Sequence, residues 1–244
     1  MNSILICLPT FNEGGNIVEV LTSIDRWREK QINLRVVIVQ IDDNSTDATV
    51  EKAKNLNLSH YQLIQRSGKL GLGSAYLTAF SYGLENNFDF FVEFDADGSH
   101  HIEEIKPMIK LSRTFDLVIG TRWMPGGSIE NWPLHRRLIS KFGTAYASKV
   151  LNLPYKDLTS GFRLLSARLV KDLVENGLVN KGYGFQIESV LRAKNLGFSV
   201  AQSPIRFTER TAGKSKMSSR IAFEAFLSVT RWGLINRVQS LYRR

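Results

Sequence analysis

The residues best suited to chemistry are two aspartates, Asp95 and Asp97, that follow a strongly apolar segment over residues 90–94. In an extended segment residues i and i+2 point the same way, so both carboxylates can face one cation. Hard divalent cations bind carboxylate oxygens together with substrate phosphate oxygens, and without a cation the two carboxylates would repel each other. The pair therefore indicates a metal site, although a lone Asp-x-Asp can also be purely structural. The Ser-His-His run over 99–101 could supply a third ligand or be a solvated loop.

Two further polar segments directly follow apolar runs nearer the amino end. Residues 9–13 read Pro-Thr-Phe-Asn-Glu, and residues 42–47 read Asp-Asp-Asn-Ser-Thr-Asp. In nucleotide-binding sheets an acidic residue at the tip of the second strand accepts hydrogen bonds from a base or ribose. Either segment could instead be a strand-to-helix turn or a helix cap, since Asp, Asn and Ser are favoured at caps. A glycine-rich run over 66–73 lacks the Gly-Lys-Ser/Thr ending of a phosphate loop, so we interpret it as a loop that precedes a helix.

These segments must be positioned by the elements between them. Apolar runs typical of buried parallel strands alternate with helix-like stretches, which predicts an α/β fold with a doubly wound, mostly parallel sheet and helices on both faces. The strands are expected at 3–8, 34–41, 60–64, 88–94 and 117–119, and the helices at 15–29, 46–56, 72–86 and 102–113, the last with a late start or kink at Pro107. In such sheets ligands bind beyond the carboxyl ends of the strands.

The second half of the chain is less regular. The sequence predicts a loop at 124–128, a basic helix at 134–151, a loop or short strand at 153–163, a helix at 185–195, one strand at 198–207 and a polar loop at 208–216. Residues 218–244 form a candidate amphipathic basic helix, which either packs on the core or adsorbs to anionic lipid. Its apolar face is expected to comprise Phe223, Phe226, Leu227, Leu234, Val238 and Leu241.

Composition limits the class of protein. The 244 residues fit one globular domain, the single cysteine excludes a disulfide framework, and we expect neither a cleaved signal nor a membrane span. Residues 1–120 carry 11 Lys or Arg against 16 Asp or Glu, whereas 121–171 and 201–244 each carry nine basic residues against two acidic ones. Such asymmetry indicates an anionic partner for the basic segments, unless they merely solubilise surface helices.

The strand-end motifs together resemble family 2 of the inverting glycosyltransferases, which are nucleotide-sugar enzymes with a GT-A fold. Later segments are similar to the polyprenyl-phosphate mannosyltransferases within that family. The matching stretches run from residue 4 to about 217 and include 9–13, 42–47, 68–73, 95–97, 120–122, 126–133, 136–140, 159–163 and 210–216. The resemblance implies a GT-A catalytic domain over 1–217, with 218–244 as a separate helix on that domain or at a membrane surface.

The resemblance also implies roles for individual residues. Pro9, Phe11, Glu13, Asp42 and Asp43 would line the nucleoside pocket, and Asp95-Ala96-Asp97 would bind the donor diphosphate. Asp95 and Asp97 would hold Mg²⁺ or Mn²⁺, and Arg210 and Lys216 would close over the diphosphate. Arg122, Arg136 and Ser140 would bind the acceptor phosphate, and Asp97 and Arg122 would be the catalytic residues. Two departures from the family pattern are Gln40 before the Asp pair and Ser99 where a metal-binding Gln often occurs.

The implied reaction is transfer of mannose from GDP-mannose to a polyprenyl (dolichyl) phosphate lipid. A phosphate acceptor is already an anion, so the chemistry needs charge neutralisation by arginines and a cation rather than a general base. The expected location is the periphery of the cytoplasmic face of a membrane, on the lipid surface or on a membrane-anchoring subunit. The alternatives are a UDP-sugar donor such as UDP-glucose and a hydroxyl acceptor, for which Glu188 is the candidate base. Nucleic-acid binding is not expected, because no helix-turn-helix, RNP or zinc pattern is present.

Overall fold

The computed structural model describes residues 2–178, 180, 182, 184–210 and 219–242, with the side chains of the last helix described over 223–236. The strands are β1 (Asn2–Thr10), β2 (Leu34–Asp42), β3 (Tyr61–Gln65), β4 (Phe90–Glu93), β5 (Leu117–Thr121), β6 (Ser128–Glu130), β7 (Arg163–Ser166), β8 (Val200–Pro204) and β9 (Arg206–Thr208). The α-helices are α1 (Ile17–Glu29), α2 (Thr49–Asn55), α3 (Leu72–Glu85), α4 (Ile105–Leu111), α5 (Leu134–Leu151), α6 (Ala167–Glu175), α7 (Phe185–Asn195) and α8 (Ser219–Tyr242). A 3₁₀ turn over Ile102–Glu104 precedes α4 and accommodates the predicted late start near Pro107.

Seven strands form the main sheet in the order β3-β2-β1-β4-β7-β5-β8. All neighbours pair in parallel except β7, which runs antiparallel to both β4 and β5. The chain leaves β1 towards β2 on one side and later returns to β4 on the other side, so β1 and β4 flank the topological switch point. Ligands of open α/β sheets bind at such a point, beyond the carboxyl ends of the strands.

Helices cover both faces of this sheet, as the sequence predicts. The apolar residues of α1, α2 and α4 pack on one face, and those of α3, α6 and α7 pack on the other. In the inner strands β1, β4, β5 and β7 nearly every residue is buried, whereas the edge strands β3 and β8 are mostly half-buried or exposed. A second, two-stranded sheet pairs β6 with β9 in parallel, beside the carboxyl edge of the main sheet.

Helix α8 lies against α5. Val229 is buried, the hydroxyls of Tyr146 and Thr230 are 2.7 Å apart, and the rings of Tyr146 and Phe226 stack at 4.7 Å. Among the residues expected to form its apolar face, Phe223, Phe226, Leu227 and Leu234 are 47–60% exposed, whereas the side chains of Val238 and Leu241 lie outside the described part of the chain. The helix therefore packs through one side and leaves the predicted apolar face on the surface.

The structure corrects three predictions for the second half. The single strand expected over 198–207 is two strands, because the chain crosses at Ile205 from the main sheet to the small one. The region assigned to a loop at 124–128 ends in β6, and the region after 153–163 contains β7 and α6, which the sequence analysis did not predict. Strand β7 has only four residues, too few for alternation to be recognised.

Candidate active site

The three strand-end motifs meet at one edge of the main sheet. In the parallel register Thr10 of β1 pairs with Asp42 of β2, and Cys7 of β1 pairs with Glu93 of β4. The segments that follow these strands therefore emerge side by side at the switch point. The sequence-based prediction that they share one site is consistent with this register.

Asp95 and Asp97 each have a basic partner. Asp95 Oδ2 lies 3.1 Å from Nε2 of His100, and Asp97 Oδ2 lies 2.8 Å from Nη2 of Arg210. The backbone N–H of Ser99 donates to Asp97 Oδ1 at 3.0 Å, which fixes the turn between the aspartates and the histidine. Both carboxylates are thus held as acceptors at the carboxyl end of β4. Ala96 between them is buried and packs in the core.

The electrostatic surroundings keep Asp95 ionised. Burial by itself raises the pKa of this carboxyl, but the hydrogen bond and charge of His100, followed by the charges of Arg210 and Arg122, lower the pKa below its usual value. Arg122 follows the end of β5, on the far side of β7 from β4. Its guanidinium lies 5.2 Å from the ring centroid of Phe207, which lies 5.7 Å from that of His100, so the arginine is close to the aspartate pair.

His100 is a buried residue of this site and not the solvated loop residue that the sequence allowed. Its ring packs within 5.2–5.7 Å of the rings of Phe94, Phe162 and Phe207, and its side chain is only 2% exposed. Its Nδ1 has no hydrogen-bond partner among the described residues. The aromatic enclosure holds the ring so that Nε2 faces Asp95.

The aspartate pair fits a divalent cation that completes its shell from the substrate. Among the described residues, no three His, Cys, Asp or Glu side chains converge as a preformed metal site. Mg²⁺ is usually bound through one or two carboxylates plus substrate phosphates, so two aspartates are a sufficient protein donor set. The backbone of Gly161 also approaches closely, since a Cβ there would lie 2.6 Å from Asp95 Oδ2.

Arg122 is fixed by a buried carboxylate. Its Nε and Nη2 donate to Asp157 at 2.7 and 2.9 Å, and its backbone N–H donates to the same carboxylate at 3.1 Å. Nη2 also contacts the hydroxyls of Ser140 at 3.3 Å and Thr159 at 3.0 Å. The structure thus brings together Arg122 and Ser140, as predicted, and adds Asp157 and Thr159, to which the sequence analysis gave no role.

Aromatic rings surround the same guanidinium group. Its Cζ lies 5.1 Å from the ring centroid of Trp132, 5.2 Å from that of Phe207 and 5.9 Å from that of Trp123. Such rings stabilise a cation through their π faces while excluding water. The sequence signal for this enclosure was the Asn-Trp-Pro run at 131–133, which the resemblance included without a stated role.

Arg136 lies on the same helical face as Ser140, four residues earlier in α5. Its Nη1 donates to both carboxylate oxygens of Glu209, at 3.0 and 3.1 Å, and the side chain is 31% exposed. Arg210 follows directly in sequence and reaches Asp97. The predicted site residues Arg136 and Arg210 are therefore linked through Glu209, which sequence reasoning missed. Lys216 lies outside the described residues.

The residues predicted for the nucleoside pocket lie in two loops that are bonded to each other. Asp42 is fully buried and accepts hydrogen bonds from Thr10 Oγ1 at 2.8 Å and from the backbone N–H and Oγ of Ser45 at 2.8 and 2.6 Å. Gln40, the departure from the family pattern, donates to Thr10 Oγ1 at 3.0 Å. Asp42 therefore stabilises these two loops through buried hydrogen bonds. Pro9 is half-buried near the end of β1, and Glu13 is buried within the loop between β1 and α1.

Asp43 connects the same loops to the glycine-rich segment. Arg66 Nε donates to Asp43 Oδ1 at 2.6 Å, and the backbone N–H of Leu70 donates to Oδ2 at 3.2 Å. Lys69 Nζ lies 4.4 Å from the ring centroid of Phe11. Gly71, with φ of 100°, ends this segment and begins α3. The segment at 66–71 therefore borders the predicted nucleoside pocket, as expected for a loop that precedes a helix.

Glu188, the candidate base for a hydroxyl acceptor, lies on α7. Its Oε2 accepts a hydrogen bond from the backbone N–H of Asn180 at 2.8 Å, and the side chain is buried. This hydrogen bond ties α7 to the segment that precedes it, and the role of Glu188 as a base stays a prediction.

A mostly parallel sheet that gathers paired aspartates and arginines at its switch point is the architecture of a GT-A glycosyltransferase. Solved structures agree on the fold: glucosyl-3-phosphoglycerate synthase from Mycobacterium tuberculosis, in complex with Mn²⁺, UDP and glucosyl-3-phosphoglycerate, superposes with a TM-score of 0.68 over 94% of this chain and 80% of that chain, at 20% identity. The complex of that enzyme with phosphoglyceric acid gives a TM-score of 0.69 at 18% identity, covering 95% of this chain and 80% of that one.

The chain belongs to glycosyl transferase family 2, whose domain matches residues 5–174, and it is a glycosyltransferase. It is 39% identical over 243 residues to undecaprenyl-phosphate mannosyltransferase from Micrococcus luteus, covering 99% of this chain and 98% of that protein. It is also 37% identical over 238 residues to polyprenol monophosphomannose synthase from Mycolicibacterium smegmatis, covering 96% of this chain and 88% of that one. The resemblance read from the motifs is thereby confirmed.

Proposed function

We propose that this glycosyltransferase moves mannose from GDP-mannose to a polyprenyl phosphate, using a divalent cation held by Asp95 and Asp97. The observation that carries the proposal is the position of Arg122: it contacts the hydroxyls of Ser140 and Thr159, and its guanidinium packs on Phe207, whose ring also contacts His100, the hydrogen-bond partner of Asp95. A site with a phosphate-binding arginine next to a pair of carboxylates that can hold a cation suits two phosphate substrates. The names of the two relatives at 37–39% identity support the lipid phosphate as acceptor and mannose as the sugar.

The division of roles follows from the chemistry of each group. Mg²⁺ or Mn²⁺ bound to the two aspartates would neutralise negative charge on the leaving diphosphate. Arg122, with two of its donors committed to Asp157, presents a rigid guanidinium to the acceptor phosphate, and Arg136 adds a second one from the same helical face as Ser140. The attacking group is a phosphate oxygen that is already anionic, so the reaction requires no carboxylate base.

A lipid acceptor also requires contact with a membrane, and we propose that the outer face of α5 and α8 provides it. Leu134 and Phe142 are 71% and 72% exposed, and Leu138 and Ile139 between them are about half exposed. Helix α5 carries five basic side chains and no carboxylate: His135, Arg136, Arg137, Lys141 and Lys149. Exposed apolar side chains among cations are typical of a helix that lies in the interface of an anionic bilayer.

The membrane face continues onto α8 and adjoins the acceptor site. Tyr146 meets Phe226, and Val150 meets Gly233, so the two helices run side by side in the same direction. This register places the exposed Phe223 near the Phe142 end of α5. Ser140 lies on the same helix and faces Arg122, so a lipid phosphate bound there would have its chain directed along the apolar face. No helix among the described residues is long and apolar enough to cross a bilayer.

Product formation with defined substrates tests the proposed reaction. Purified protein is incubated with Mn²⁺ or Mg²⁺, undecaprenyl phosphate in detergent and either radiolabelled GDP-mannose or UDP-glucose. Labelled lipid from GDP-mannose alone supports the proposal, whereas labelled lipid from UDP-glucose alone identifies the alternative donor. If neither donor labels the lipid but sugar is transferred to a soluble hydroxyl acceptor, the lipid-phosphate assignment is wrong.

Vesicle flotation tests the membrane face separately. We expect the protein to float with vesicles that contain anionic phospholipid. It should stay in the bottom fraction of the gradient with neutral vesicles or at high salt. Phe142→Asp should abolish flotation while GDP binding stays unchanged. Ile32→Asp is a matched control, because Ile32 is 89% exposed on the loop between α1 and β2, away from this face. Equal loss of flotation in both variants would contradict the assignment of α5.

A further inference from the structure

Glu209 is held by its backbone between the two halves of the site. It directly follows β9, and its N–H donates to the carbonyl oxygen of Glu130 at 3.1 Å. The preceding residue, Thr208, donates its N–H to the carbonyl oxygen of Ser99 in the aspartate loop at 3.1 Å, and its hydroxyl contacts His101 at 2.9 Å. The backbone on which Glu209 sits is therefore attached both to the small sheet and to the loop that carries the aspartates.

The side chain of Glu209 lies between two arginines that serve different substrates in the proposed reaction. Arg136 Nη1 donates to its two oxygens at 3.0 and 3.1 Å, and Arg210 Nε lies 3.7 Å from Oε1. Arg210 in turn contacts Asp97 at 2.8 Å. A continuous chain of charges thus runs from the acceptor side, through Glu209, to the donor side. The Glu209 side chain is 19% exposed, so the surrounding water screens these contacts only partly.

We propose that Glu209 is the positioning residue that fixes Arg136 and Arg210 relative to each other, and so sets the distance between the attacking phosphate and the leaving diphosphate. This proposal rests on the proposed function. Two guanidinium groups that approach one another repel, and a carboxylate between them compensates for that repulsion. Arg136 keeps other donors for a phosphate, because it uses only Nη1 for Glu209.

The changes expected in kcat and in the acceptor KM distinguish a positioning role of Glu209 from a role in substrate binding. Glu209 is an anion that competes with phosphates for the same arginines, so its removal cannot weaken phosphate binding by charge. Removal of the carboxylate instead loosens the orientation of the two arginines. Turnover depends more steeply than substrate binding on this orientation. We therefore expect Glu209→Gln to lower kcat while the KM for polyprenyl phosphate stays unchanged or falls. Arg136→Ala, in contrast, should raise that KM.

Steady-state kinetics on the full chain provide the first readout. We expect Glu209→Gln to lower kcat about tenfold without a rise in acceptor KM. Glu209→Asp, which keeps the charge on a shorter side chain, should recover part of kcat. Glu103→Gln is the matched control, since Glu103 is exposed on the turn before α4. A raised acceptor KM with unchanged kcat in Glu209→Gln, or a change of equal size in Glu103→Gln, would overturn the proposal.

Inorganic phosphate provides a second readout that does not depend on the identity of the acceptor. Titrated into protein saturated with Mn²⁺ and GDP, it should bind Glu209→Gln several-fold more tightly than wild type and Arg136→Ala more weakly. If wild type makes no lipid product but this order of affinities is found, the proposed function is wrong, and the result supports only the contact of Glu209 with arginines that bind phosphate. If Glu209→Gln binds inorganic phosphate more weakly than wild type, the role of Glu209 is wrong whatever the acceptor is.

Discussion

Arg122 donates two side-chain hydrogen bonds to Asp157, and the pair is almost wholly buried, with the side chains 6% and 0% exposed. The same guanidinium also reaches Ser140 and Thr159. A cation that binds a substrate phosphate is useful only if its direction is fixed before the substrate arrives, and Asp157 fixes it here. In the proposed reaction Asp157, although fully buried, would therefore orient the guanidinium that binds the acceptor phosphate.

Asp157→Asn tests this relationship. Asparagine keeps the shape but loses the charge, so the buried Arg122 loses its counter-ion and the free energy of unfolding should fall by about 3 kcal/mol. The KM for the acceptor phosphate should rise while the dissociation constant for GDP stays the same. Asp116→Asn is the matched control, because Asp116 pairs with Arg168 away from the site and should affect only stability. Equal changes of acceptor KM in both variants would contradict the role of Asp157.

Two variants should affect donor binding and acceptor binding separately. Asp97→Ala removes a proposed metal ligand and should reduce turnover at least about a hundredfold, together with metal-dependent GDP binding. Arg136→Ala should leave GDP binding intact and raise the acceptor KM by about ten- to a hundredfold, the value of one hydrogen bond to a charged group. Calorimetric titration of GDP with Mn²⁺ checks the first effect and product formation checks the second. Loss of GDP affinity to the same extent in both variants would argue against this division.

Gly161 should be sensitive to the smallest possible side chain. A methyl group there would lie 2.6 Å from Asp95 Oδ2, so Gly161→Ala must displace the carboxylate and should weaken Mn²⁺ binding by about tenfold or more. Gly143→Ala is the control, since a Cβ at position 143 of α5 meets nothing within 4 Å. Manganese affinity can be followed by electron paramagnetic resonance. Unchanged Mn²⁺ affinity in Gly161→Ala would place the ion away from Asp95.

The pH dependence of stability should report on Glu93, which is fully buried beneath the site. Burial raises the pKa of this carboxyl from its usual 4.5 to about 7, and the charge of Arg163 only partly offsets that effect. Neither of its oxygens has a hydrogen-bond partner among the described residues. Because the pKa is higher in the fold than in the unfolded chain, the stabilising contribution is complete below pH 4.5 and is lost as pH rises through 7.

We therefore expect the free energy of unfolding, measured in EDTA to keep metal out of the site, to fall by up to about 3 kcal/mol between pH 5 and pH 8 because Glu93 ionises. Glu93→Gln is neutral at every pH and should lack this part of the slope. The variant should still fold, because Arg163 keeps hydrogen bonds to the carbonyl oxygens of Leu158, Ser160 and Gln186 and to the hydroxyl of Ser189. Denaturant melts at a series of pH values measure the difference, and identical slopes would show that Glu93 remains ionised.

The sequence was most informative where one physical rule dominates. Continuous apolar runs located β1 to β5, and the residues after those strands were expected at one edge because parallel strands share a direction. The bounds predicted for α5 and α7 agree with the structure, since each has a sustained helical pattern. The strand after 163 was missed because four residues carry too little pattern, and β8 and β9 were merged because only tertiary pairing divides them at Ile205.

Within the site, the sequence indicated which residues bear charge but not which charges meet. Asp42 looked like a ligand-binding carboxylate, but its oxygens accept hydrogen bonds from Thr10 and Ser45. The sequence did not indicate Asp157 or Glu209, because each acts through an arginine that is distant in sequence, Arg122 for Asp157 and Arg136 for Glu209. The resemblance could name Arg122 and Arg136, whereas the carboxylates that orient them become visible only in three dimensions.

We propose that a cation on Asp95 and Asp97 holds the donor diphosphate beside Arg122. Crystals grown with Mn²⁺ and GDP, and measured at the manganese absorption edge, test it most directly. We predict an anomalous peak bonded to carboxylate oxygens of Asp95 and Asp97 and to the diphosphate, with Arg122 on the open side of the nucleotide. A bound GDP whose diphosphate lies away from both aspartates, with no manganese peak between them, would contradict the account.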